Sequence, residues 1–120
     1  MVERKDSFDE IVARVRGQRV SSIHGHLVIS VGEPASSEED QVLVAKDYDK
    51  EIYKKIICRG NHLVGAGFVN VAVDAGVIQY LISKKVDIGN YKELLLEKPR
   101  ETSLWLMLET ERKETLSLGA

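Results

Sequence analysis

Cysteine occurs once in 120 residues, at Cys58, and proline twice. A single thiol makes no internal disulfide, and without a Cys-x-x-Cys pair neither dithiol redox chemistry nor a cysteine zinc site can be built. A lone cysteine suits a reducing compartment, so a cytoplasmic setting is expected. No apolar run approaches the ~20 residues that a membrane helix needs. With no such run no membrane partner is expected, and the first ten residues, which hold no apolar stretch of the leader-peptide kind, are not expected to be a signal peptide. Positive charge is not in surplus either. The 17 Lys and Arg face 19 Asp and Glu, for a net charge of −2 and a pI near 5.9, which excludes a nucleic-acid binder working by bulk charge. What is present is ordinary for a globular chain, with 43% hydrophobic and 30% charged residues. One domain spanning 1–120, with a core of its own, is the expectation.

Periodicity orders the chain. Phe8, Ile11, Val12 and Val15 form one apolar stripe, and Ser7 with Glu10 makes a capping box, so a helix is predicted over 7–16. Residues 21–31 are rich in β-branched and apolar side chains and read as one strand ending at Gly32-Glu33-Pro34. From Glu33 to Glu51 there are seven acids and two lysines, which reads as a solvated loop and strand edge. Alternation then predicts strands over 41–46, 51–58 and 62–71. Their two short connections favour hairpins in an antiparallel meander. At Val73 the period lengthens, and Val73, Val77, Ile78, Leu81 and Ile82 predict a helix over 73–85. A short helix carrying Leu94, Leu95 and Leu96 follows, and Pro99 interrupts it. The extension 98–114 carries Leu104, Trp105, Met107 and Leu108 and reads as an amphipathic helix, with a strand over 103–108 as the alternative. The tail from Thr115 is expected to fray. The fold class is therefore α+β, a small antiparallel sheet of about three to five strands with helices packed on one face.

Four groups of residues invite a chemical reading. Gly65-Ala66-Gly67-Phe68-Val69-Asn70 resembles part of a dinucleotide fingerprint, whose glycines bring backbone close to pyrophosphate at a helix N-terminus. Asn70 stands where the third glycine belongs, however, and the glycines fall inside an apolar strand run. Close packing or a bulge explains them more simply. His24, Gly25 and His26 would put two imidazoles on one strand face. With His62 they could ligate zinc in a small metal-dependent enzyme, though no acidic neighbour in sequence supplies an outer hydrogen bond. Cys58 lies near Lys55 and Arg59 but ends a β-run, which favours a packed thiol over a nucleophile. Leu104, Trp105, Met107 and Leu108 would serve equally as core or as a subunit contact, where Trp and Met are enriched. No catalytic triad or carboxylate pair can be argued, so no catalytic, cofactor-binding or metal residue is assigned.

Whole segments carry more than single residues. His26-Leu27-Val28-Ile29-Ser30-Val31-Gly32-Glu33 is followed by the acidic stretch, then Ile52-Tyr53-Lys54-Lys55-Ile56-Ile57. Asn61-His62-Leu63-Val64-Gly65-Ala66 follows, and after it Ala75-Gly76-Val77-Ile78, Leu81-Ile82 and Val86-Asp87-Ile88. In this order and spacing the chain resembles, over about 24–96, the C-terminal domain of FAD-dependent pyridine nucleotide–disulfide oxidoreductases. The NADH oxidase and NADH:rubredoxin oxidoreductase branch is the most similar. The resemblance implies a small antiparallel sheet covered by helices, with Gly65 and Ala66 letting a helix lie close. It also implies a role in subunit contacts or partner docking. FAD and NADH belong to the parent enzymes' other domains. Those fingerprints and the redox cysteine precede this segment, and the 25 residues before His26 leave no room for them, so no cofactor is expected on this chain.

The expected role is a dimerisation or docking module, with a second copy or a flavoprotein core as partner. An acidic redox protein such as rubredoxin is a further candidate if Lys54, Lys55, Arg59, Lys84 and Lys85 share a face.

Overall fold

The computed structural model describes residues 19–23, 25–33 and 38–119. The helix expected over 7–16 lies outside them. Five strands form one antiparallel sheet: β1 (Arg19–Ile23), β2 (His26–Gly32), β3 (Asp40–Asp47), β4 (Ile52–Arg59) and β5 (His62–Val69), in the order β1-β2-β5-β4-β3. Three helices follow: α1 (Ala75–Ser83), α2 (Lys92–Glu97) and α3 (Pro99–Gly119). The chain is α+β, and these helices share one core with one face of the sheet.

The meander β3-β4-β5 follows the short turns. Asp47 accepts the Lys50 N–H at 3.1 Å, and Gly60 takes φ +64° between β4 and β5. The segment 21–31 is two strands rather than one. Ile23 pairs with His26 in a hairpin, leaving only positions 24 and 25 to connect them. Gly25 adopts φ +81°, which a β-branched residue would resist.

Strand alternation assigns the faces. Ile29, Val31, Ile56, Ala66 and Phe68 meet Ile78 and Leu81 of α1, Ile88, Leu95 of α2 and Leu106 of α3 in one core. On the other face Val28, Tyr53, Ile57 and Val69 are also buried, while Val42 and Val44 at the β3 edge are exposed.

Two close approaches hold β2 in place. A Cβ on Gly65 would overlap the Glu33 carbonyl oxygen, and one on Gly32 would meet Val64 O and stand 2.9 Å from Ile82 Cδ1. It is therefore Gly32, rather than Gly65, that makes room for α1. Gly65 makes room for the end of β2, where the Glu33 N–H donates to Val64 O at 2.9 Å.

α1 starts at Asp74, whose Oδ1 accepts the Gly76 N–H at 2.8 Å and the Val77 N–H at 3.3 Å. It ends with Lys85 at φ +48° and the Val86 N–H on Leu81 O at 3.2 Å, a Schellman closure. Pro99 is the first residue of α3, where a missing N–H costs nothing. The extension is thus helix and not strand, and it runs on through the expected frayed tail to Gly119.

Candidate functional site

His26 and His62 are not brought together. His24 lies outside the described residues, and Gly25, at φ +81°, precedes the first residue of β2. His26 opens β2 beside the far end of β5, whereas His62 opens β5 opposite Arg59. Seven strand residues separate those ends, roughly 25 Å at strand rise. His62 instead lines an open groove of about 710 Å³ with Glu33, Arg59 and Lys85. Among the described residues no group of three or more His, Cys, Asp or Glu could hold a metal ion.

Both ring nitrogens of His26 are engaged. Nε2 stands 3.1 Å from Glu51 Oε2, and Nδ1 stands 2.7 Å from Asn70 Nδ2. Asn70 settles the tautomer. Its Oδ1 accepts the Leu27 N–H at 3.1 Å and its Nδ2 donates to Glu51 O at 2.8 Å. The Nδ2 group therefore also donates to His26 Nδ1, and the imidazole proton sits on Nε2, facing Glu51. Asn70 has φ +58°, and its own N–H donates to Leu27 O at 2.8 Å. One side chain thus ties together the start of β2, the end of β5 and the turn before β4. The residue that breaks the glycine pattern is a structural corner. Sequence reasoning missed this, although Asn is the side chain that best tolerates a left-handed backbone and closes it with hydrogen bonds.

Gly65 and Gly67 lie within β5. The next helix begins only at Ala75, behind its own Asp74 cap. A pyrophosphate cradle needs glycines in the turn that enters the helix, and that geometry is not formed. Cys58 is fully buried in the core cluster. Burial pushes its thiol pKa up, against a smaller pull from the Lys92 ammonium, so it packs as a small apolar residue.

The five basic residues do not share a face. Lys54 reaches under the helices to Glu97 O at 3.0 Å, and Lys55 points to the opposite side by alternation. Arg59 is held by Asp40, whose side chain is fully buried, through Nε at 2.9 Å and Nη2 at 3.3 Å. Lys84 meets Glu114 at 3.3 Å.

The C-terminal stripe divides in two. Leu106 enters the core and Met107 is half-buried. Leu104, Trp105, Leu108 and Leu116 remain 44%, 46%, 55% and 60% exposed, with Leu94 of α2 at 44%. Trp105 rests one edge on Tyr91, ring centroids 5.3 Å apart at 62°, and leaves the rest to solvent. α3 packs on α1 and α2 through Leu106, Thr102 and Ser103. Thr102 Oγ1 donates to Leu94 O at 3.2 Å. The outward side of α3 carries the exposed apolar strip, interspersed with the exposed Glu101 and Arg112.

Fold and surface together define a small α+β domain, a five-stranded antiparallel sheet whose last helix carries an apolar strip outward. Residues 22–86 match the family of the rubredoxin NAD+ reductase C-terminal domain. The match spans more than half of the chain, and the chain belongs to this family. It takes in the sheet from Ser22 on, together with α1, while α2 and α3 lie beyond it. The chain is also 31% identical over 77 residues to a nitrite reductase [NAD(P)H] of Bacillus subtilis (strain 168), across 64% of this chain and 10% of that protein. It therefore spans about a tenth of the length of that relative. No helix among the described residues is long and apolar enough to cross a membrane.

Proposed function

We propose that this domain is an interaction module of an NAD(P)H-dependent oxidoreductase system, holding a partner subunit while the chemistry is done elsewhere. In this reading FAD and NADH are bound by a flavoprotein core, in the cytoplasm, and this chain contributes none of their ligands. The observation that carries it is the outward strip of Leu104, Trp105, Leu108 and Leu116. Each is about half exposed, so covering it with a partner gains about half of the ~1.5–3 kcal/mol that full burial of such a side chain is worth. The buried Cys58 and the glycines inside β5 support the reading, because neither is placed for redox or nucleotide chemistry.

Light scattering across a concentration range, together with co-purification on a flavoprotein core expressed separately, tests this. Association with a second copy or with the core is expected, and Leu108→Glu should abolish it while circular dichroism stays unchanged. A chain that is monomeric throughout and ignores the flavoprotein overturns the proposal. So does stoichiometric flavin retained by this chain alone.

A further inference from the structure

We propose that the occupant of the α3 strip is the same strip of a second copy, packed antiparallel about a two-fold axis. This rests on the interaction reading above and names its partner.

Glu101, Trp105, Leu108 and Arg112 are spaced four, three and four residues apart, which lines them along one side of a helix. All four are exposed. They lie symmetrically about the point between Leu106 and Met107. If two α3 helices cross antiparallel at that point, Trp105 of each meets Leu108 of the other. Glu101 of each meets Arg112 of the other, at both ends of the contact. Such a patch is complementary to itself, as a two-fold dimer requires.

Charge selects the direction. In a parallel pair Glu101 would face Glu101 and Arg112 would face Arg112, two like-charge contacts. The antiparallel pair turns both into attractions and opposes the two helix dipoles favourably. Arg112 is already bonded to Glu109, with Nη2–Oε2 at 2.9 Å. That exposed pair is worth little, and a guanidinium has donors enough for a second carboxylate. Leu104 flanks the contact and Leu116 continues it beyond Arg112.

The 21 residues of α3 span roughly 31 Å at 1.5 Å per residue. One helix pair of that length buries less than the ~800 Å² per partner of a standard interface. The dimer is therefore weak and concentration-dependent.

Sedimentation of the full chain at low salt, where exposed charges act most strongly, decides the matter. Glu101→Arg and Arg112→Glu should each weaken self-association about tenfold. A mixture of the two variants should recover the dimer, because every facing pair is then again of opposite sign. Recovery on mixing also shows that both variants are folded. Dimers of wild-type strength from either variant alone, or no recovery on mixing, overturn the antiparallel register. A wild-type chain that stays monomeric but still holds the flavoprotein core through Leu108 overturns the second-copy partner alone and leaves the interaction reading in place.

Discussion

Asn70 shows how much one side chain decides in this fold. It takes a left-handed backbone, which costs an ordinary L-residue roughly 1–2 kcal/mol, and it bonds Leu27, Glu51 and His26. Asn70→Gly removes those bonds but suits the backbone. Asn70→Ala removes them and adds strain. At about 1 kcal/mol for each of the three hydrogen bonds, less the backbone strain that glycine relieves, the glycine variant should lose about 1–2 kcal/mol and the alanine variant about 3–4 kcal/mol. Urea unfolding midpoints would show the order, and equal midpoints for the two variants would sink the argument. The same corner explains His26. The pattern His-x-His suggested a ligand pair, yet this imidazole bonds with both nitrogens inside the domain. Nothing in the spacing announced that, since Glu51 and Asn70 reach His26 only when β2 lies beside β5.

At the scale of elements, β2 is held by glycines chosen for absence of bulk. The Gly65 Cα faces the Glu33 carbonyl so closely that a methyl group overlaps it, and backbone cannot yield as a flexible side chain can. Gly65→Ala should cost about 1–3 kcal/mol by overpacking. Gly60→Ala, in open space at φ +64°, carries only the left-handed backbone penalty of roughly 1–2 kcal/mol, with no overlap added to it. Paired thermal melts check this, and a Gly65 variant no worse than the Gly60 variant would contradict the close approach. Elements set by local pattern were legible. β3, β4, β5, α1 and the short α2 fall within a few residues of their alternation or 3.6-residue period. The β1–β2 hairpin was not, because a two-residue connection built on Gly25 interrupts a β-rich run without a proline or an acidic cluster to mark it. The end of α3 was missed as well. A polar sequence after Glu114 reads as fraying, but α3 continues as helix to Gly119, and Lys84 of α1 pairs with Glu114 near its end.

For the whole molecule, the two sides of α3 should behave as different materials. Leu106 is 4% exposed and Leu108 55%, two residues apart on one helix. In dilute protein Leu106→Ala should cost about 2–5 kcal/mol, and Leu108→Ala should stay within about 0.5 kcal/mol of the parent. Denaturant unfolding of both at a concentration well below self-association makes the comparison. Equal losses would mean that Leu108 belongs to the core of the single chain. The strip also lies outside residues 22–86. The part of the domain that carries the family likeness and the part that offers a surface are therefore different parts of the chain.

Local order, the α+β class and the family were determined by the sequence itself, because alternation, helical period and turn chemistry act between near neighbours. The tertiary structure decided which apolar residues become core and which remain surface. Leu104, Trp105, Leu106 and Leu108 are equally apolar by composition. Only the docking of α3 on α1 and α2 turns Leu106 inward and leaves the other three exposed, since burial depends on what lies across the contact and not on the residue alone.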